Sequence, residues 1–72
     1  MAISTRNRLA GEVTEVVRGE AAATVTIKVG NTNIVALITR QSADELGLEP
    51  GRQVSALIKA TDVMISTGDT IA

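Results

Sequence analysis

The sequence predicts an all-β domain: a small five-stranded barrel with one short helix between the third and fourth strands. Three observations carry this. Apolar and polar residues alternate over most of the chain with the period of two that a half-buried strand requires. Turn-forming clusters, Arg18-Gly19-Glu20 and Gly30-Asn31-Thr32-Asn33, divide the alternating runs. The hydrophobic fraction is 44% with no Phe, Trp or Tyr, so the core must be built from Val, Ile, Leu, Ala and Met, small aliphatic side chains that suit closely packed sheets.

The first strand runs from Arg8 to Val17. Leu9, Gly11 and Val13 share one parity, whereas Val16 and Val17 are adjacent, so a bulge or bend near Glu15 is expected. Arg18-Gly19-Glu20 forms the following turn, with Gly19 free to take a positive φ. In the second strand Ala21, Ala23, Val25, Ile27 and Val29 alternate with Ala22, Thr24, Thr26 and Lys28. That pattern has one buried face.

The third strand, Ile34 to Ile38, is apolar on both parities, which in an antiparallel sheet means that its outer face is covered as well. In so short a chain the expected cover is another subunit. Thr39 caps a short helix that reaches Leu46, with Gly47 just past its end and Glu49-Pro50-Gly51 as a turn. Ala43 and Leu46, at i, i+3 spacing, are expected to plug the core, leaving Arg40, Gln41, Asp44 and Glu45 to solvent. From Gln53 strands resume: Val54, Ala56, Ile58 and Ala60 alternate with Ser55, Leu57, Lys59 and Thr61, and Val63 and Ile65 continue the pattern. This order, with the helix after the third strand, is the connectivity of an OB-type barrel. One module spans 3–66, and the small polar residues 67–72 are expected to fray.

A 72-residue chain lies near the size at which one hydrophobic core gives little net stability without a disulfide, a metal or a partner. With no Cys and no His, disulfides and the usual zinc or soft-metal sites are excluded, and no direct cation ligands are assigned. Oligomerisation remains. No apolar run approaches the roughly 20 residues of a membrane span, and a secretory signal pattern is absent, so a cytoplasmic location without membrane association is expected. Seven basic against eight acidic residues give a formal charge of −1, which with the missing aromatics argues against nucleic acid as a partner.

Catalysis is not expected either. General acid–base chemistry draws on His, Cys or paired carboxylates with shifted pKa values. The carboxylates here fall in turns or on exposed faces, and Ser4 and Ser42 have no His to act as base. Anion binding fares better, because a tetrahedral oxyanion needs converging hydroxyls, backbone N–H groups, Arg and Lys. Ser4 and Arg6 stand two apart at the entry to the first strand, and Lys59 and Thr61 obey the same parity near the chain's other end. A solvated tail would also carry Ser4-Thr5-Arg6-Asn7, and Lys59 could snorkel from a strand edge. Spacing alone names no anion.

The motifs go further. Ile3-Ser4-Thr5-Arg6-Asn7, followed by Leu9 and Gly11, resembles the opening of the molybdate-binding Mop proteins, the molbindins, whose signature is Ile-Ser-Ala-Arg-Asn followed by an apolar residue and a Gly. The match continues through Leu46-Gly47-Leu48 and Gly51 and closes on Ile58-Lys59-Ala60-Thr61-Asp62-Val63-Met64, which looks like the family's C-terminal signature.

The resemblance implies an OB-like Mop (TOBE/Mop) barrel that assembles as a homo-hexamer, a trimer of dimers. It also implies molybdate or tungstate bound between subunits for storage, buffering or homeostasis, with no other cofactor. By that resemblance Ser4 and Arg6 are side-chain donors, Lys59 from a neighbouring subunit is the countercharge, and Ala60 and Thr61 are further contacts. Thr5 replaces the common Ala and is expected to face away, and Ala60 replaces a Ser found in some relatives, leaving its backbone N–H. Thr5, Asn7, Gly19 and Glu20 are candidates for additional anion contacts, although the Glu20 carboxylate would repel an anion if it pointed inward. The alternative is an OB-type oligomeric protein-interaction module without oxyanion binding.

Overall fold

The computed structural model describes residues 7–68. Alternating patterns become strands β1 (Asn7–Arg18), β2 (Ala22–Val29), β3 (Thr32–Thr39) and β4 (Gln53–Ile58); a helix α1 (Arg40–Glu45) follows β3, and a 3₁₀ turn (Ala60–Asp62) follows β4. All pairings are antiparallel, in the order β3-β2-β1-β4.

β1 organises the sheet. Its first half, Asn7 to Glu12, pairs with β4, and its second half, from Glu12 to Arg18, pairs with β2. The two ladders overlap at Glu12, which faces both Gln53 and Lys28. There β1 passes so close to β2 that a Cβ on Gly11 would lie 2.5 Å from the Lys28 carbonyl oxygen and 2.8 Å from Ile27 Cγ2. Only glycine permits that approach. The register then shifts between Val13 and Glu15, a bulge at Thr14 that moves the inward parity from Leu9, Gly11 and Val13 to Val16. This is the bend that the doubled Val16-Val17 demanded.

The β2–β3 hairpin closes through Gly30-Asn31, with Val29 paired to Thr32 and a positive φ of 59° at Gly30, as in a type II′ turn. At the β1–β2 turn Gly19 does not take the expected positive φ; its N–H donates to the Ala22 carbonyl at 2.8 Å, and that bond closes the turn.

The helix begins as expected, with Thr39 Oγ1 accepting from the Ser42 N–H at 3.0 Å. Its end differs. Leu46 was expected in the core but is 59% exposed, and Leu48 takes its place. The helix stops at Glu45; Gly47 takes φ 64°, its N–H donates to the Asp44 carbonyl, and the Leu48 N–H donates to the Ala43 carbonyl. This is a Schellman motif, which turns the residue after the glycine inward. Ala43 and Leu48 therefore join Val13, Ala23, Val25 and Ile27 in the core.

The second difference lies after β4. The strand ends at Ile58 rather than continuing to Thr61, because the chain turns: the Asp62 N–H donates to the Lys59 carbonyl at 2.9 Å and the Val63 N–H to the Ala60 carbonyl at 3.3 Å. The expected fifth strand is not present among the described residues, which carry four. Val63, Met64 and Ile65 are 51%, 87% and 92% exposed and pair with no strand of the described residues. Of the expected tail, only Thr67 and Gly68 are described.

Because the sheet coils without a β3–β4 ladder, an apolar groove of about 550 Å³ opens between those two edge strands. Ile34, Ala36 and Ile38 form one wall, Val54, Ala56 and Ile58 the other, and Val13, Val25 and Ile27 the floor. On the other face of β3, Val35 and Leu37 are 65% and 72% exposed, so within the chain itself the doubly apolar strand is uncovered. Among the described residues no helix is long and apolar enough to cross a membrane.

Candidate functional site

The two signature segments meet where β1 begins and β4 ends. Asn7 stands opposite Ile58 in the ladder, and its Nδ2 donates to the Ile58 carbonyl at 3.2 Å. The last residue of the first motif is thus bonded to the residue immediately before Lys59. Ser4, Thr5 and Arg6 lie outside the described residues.

Lys59 is the N-cap of the 3₁₀ turn, in extended backbone with φ −67° and ψ 138°, and Lys59, Ala60 and Thr61 are all exposed. The strand parity expected to align Lys59 with Thr61 does not hold, because Thr61 lies within the turn; the turn itself brings Lys59, Ala60 and Thr61 into one compact segment. Exposed lysine, hydroxyl and backbone donors in such a segment can meet an anion that approaches from outside the chain. Among the described residues no three His, Cys, Asp or Glu side chains cluster as a cation site would require.

Gly19 and Glu20 are not part of this group. They follow the C-terminal end of the 12-residue β1, at the opposite end from Asn7. Their corner is tied to the helix by charge: Arg18 Nε meets Asp44 Oδ1 at 2.9 Å, Arg18 Nη2 donates to the Leu48 carbonyl at 3.0 Å, and Arg40 Nη1 donates to the Gly19 carbonyl at 3.2 Å. Asp44 also lies 3.8 Å from Arg40 Nε, so this carboxylate, expected to face only solvent, bridges two guanidiniums. Glu20 is exposed beside them in a shallow depression with Thr39, Gln41 and Glu45.

The Ile58 carbonyl escaped the reading of side chains, as did Arg18 and Arg40 at the far corner. Backbone acceptors leave no mark in a sequence. The two arginines leave only their charge, whose partners depend on the fold.

Comparison with known proteins bears on both ends of the chain. The TOBE domain family matches residues 3–65. Molybdenum-pterin-binding protein 1 of Clostridium pasteurianum is 41% identical over 66 residues, covering 90% of this chain and 97% of that protein. A molybdate-binding protein from Sporomusa ovata superposes with a TM-score of 0.86 at 41% identity, covering 92% of this chain and 98% of that one. The cytoplasmic molybdate-binding protein ModG, solved with molybdate bound, superposes with a TM-score of 0.78 at 41% identity over 83% of this chain and 43% of its own. These relatives are binding proteins, and they share the all-β, OB-like architecture described above. The chain belongs to the TOBE domain family, and within it to the Mop proteins.

Proposed function

We propose that this chain binds molybdate, and tungstate with it, at sites shared between the subunits of a cytoplasmic homo-oligomer, and so stores or buffers the oxyanion. The observation that carries the reading is the bond between Asn7 and Ile58, which joins the two signature segments at one end of the sheet in a chain of this family. A relative described as cytoplasmic and solved with molybdate bound supports both the ligand and the compartment.

The mechanism follows from the charge of the ligand. Molybdate is a tetrahedral dianion at neutral pH, so removing it from water demands countercharge and a donor for each oxygen. Arg6 and Lys59 supply the charge. Ser4, the Thr61 hydroxyl and the Ala60 N–H supply neutral donors and fix the width of the pocket. Sulfate has the same charge and shape but is smaller, so in a pocket of fixed width its hydrogen bonds are long, and each one lost costs about 1 kcal/mol. Tungstate, nearly the size of molybdate, is accepted. Nothing in this scheme makes or breaks a covalent bond, and the chain acts as a binding protein rather than an enzyme.

Assembly is supported by surfaces left open among the described residues: an apolar groove between two unjoined edge strands, the exposed Val35 and Leu37, and the exposed apolar segment Val63-Met64-Ile65. A core of small aliphatic residues gives a chain of this size modest stability, and burying these surfaces adds to it. We take the assembly to be a hexamer, a trimer of dimers, in which Lys59 of one subunit faces Ser4 and Arg6 of another. Thr5, Gly19 and Glu20 are at most secondary contacts, and Gly19 and Glu20 reach an anion only at a separate site.

Equilibrium dialysis of the purified protein against molybdate, with sulfate as competitor, tests the reading. Retention of molybdate in equimolar sulfate supports it; displacement by equimolar sulfate overturns discrimination by size, and no retention overturns the function.

A further inference from the structure

We propose that Asn7 is a positioning residue for the oxyanion site rather than a ligand: its side-chain amide holds the Ile58 carbonyl and thereby sets where Lys59 stands. The inference rests on the oxyanion reading above and adds a residue that acts through another.

Three observations converge on it. Asn7 Nδ2 donates to the Ile58 carbonyl at 3.2 Å, so one of the two N–H donors of the amide is engaged on the backbone. Ile58 is the last residue of β4, and the backbone changes course at the next residue, where Lys59 caps the 3₁₀ turn. Lys59 has no side-chain cap bond of its own, and the turn is held by the backbone bonds Asp62 N–H to Lys59 and Val63 N–H to Ala60. The Asn7 amide is therefore a side-chain anchor at the base of an exposed, short-range turn.

The consequence is a division of labour within Ser4-Thr5-Arg6-Asn7. On the proposed reading the serine and arginine meet one anion, while the asparagine fixes the end of β4 from which the lysine of the same chain reaches a neighbouring subunit's site. A long, flexible lysine loses less entropy on binding when the backbone that carries it is already fixed. Within the chain the turn has little support from packing, since Lys59, Ala60 and Thr61 are all exposed. An anchor at its base therefore matters.

The test combines a double-mutant cycle with limited proteolysis. Molybdate affinity is measured for the wild type, Asn7→Ala, Lys59→Ala and the double variant; Asn7→Asp, which keeps the size of the side chain, replaces Asn7→Ala if that variant fails to assemble. In the unliganded wild type and Asn7 variant, tryptic cleavage after Lys59 is compared with cleavage after Lys28 inside β2. Asn7→Ala is expected to weaken molybdate binding about three- to tenfold, the range carried by one hydrogen bond. It should weaken it little or not at all when Lys59 is already alanine.

Cleavage after Lys59 should rise selectively; a general loosening would raise both sites together. Additive losses in the cycle, or an unchanged Lys59 cleavage rate, overturn the positioning role. If the wild type takes up no molybdate while the Asn7 variant is cleaved faster at Lys59, the oxyanion reading is overturned and the anchoring of the turn is supported.

Discussion

The N–H of Leu48 donates to the carbonyl of Ala43 at 3.1 Å, and that bond converts the end of a six-residue helix into a lid on the core. Ala43 is fully buried and Leu48 is 8% exposed, while the intervening Leu46 is turned out to 59% exposure. Leu48→Ala should destabilise the protein by about 2–4 kcal/mol, as cavity-forming substitutions do, and Leu46→Ala by less than about 1 kcal/mol. Urea unfolding of the two variants at equal protein concentration checks the contrast. Equal losses would mean that Leu46, not Leu48, closes the core.

Two glycines should fail for different reasons. Gly11→Ala drives a methyl group into the Lys28 carbonyl and the Ile27 side chain, and overpacking of this kind costs about 1–3 kcal/mol. Gly47→Ala meets no atom within 4 Å and suffers only from its φ of 64°, at a cost of about 1 kcal/mol. Thermal unfolding should therefore rank Gly11→Ala below Gly47→Ala, and the opposite order would mean that β1 can move away from β2 at little cost.

The Arg18–Asp44 pair should contribute little through charge alone. Both side chains are partly exposed, 33% and 54%, and solvent screens such pairs to between 0 and about 1 kcal/mol. Asp44→Asn should lower stability by less than about 1 kcal/mol. Arg18→Ala, which also removes the bond to the Leu48 carbonyl, should cost more, about 1–2 kcal/mol. A high-salt comparison separates the contributions, because salt weakens the ion pair and leaves the carbonyl bond nearly untouched.

Ile65 is 92% exposed on a segment without a strand partner among the described residues, so a charge there should leave the fold of one chain intact and break the proposed assembly. Ile65→Asp is expected to run as a smaller species by size-exclusion chromatography with light scattering while keeping the β-sheet circular dichroism of the wild type. An unchanged oligomer would remove this segment from the interface.

Much of this was legible in the residues themselves. Adjacent Val16 and Val17 forced a parity change, and the bulge at Thr14 supplies it; Thr39 announced the helix start, and its hydroxyl caps Ser42. What failed, failed where local geometry overrides periodicity. Leu46 keeps helical spacing from Ala43, but the helix has already ended at Glu45 and Gly47 reverses the chain. Lys59-Ala60-Thr61 alternates like a strand, yet the backbone closes into a 3₁₀ turn there, with the Asp62 N–H on the Lys59 carbonyl and the Val63 N–H on that of Ala60. The meeting of Asn7 with Ile58 depends on strand register, which no single segment encodes. The first motif could be read only from its likeness to a family, since Ser4 and Arg6 carry no periodicity that distinguishes a ligand from a solvated tail.

Native mass spectrometry tests directly whether the anion is bound by an assembled protein. Spectra of the purified protein are recorded alone, with molybdate and with sulfate. A hexamer that gains mass with molybdate and not with sulfate is expected. An assembly of any size whose mass is unchanged by molybdate would rule out anion binding between subunits.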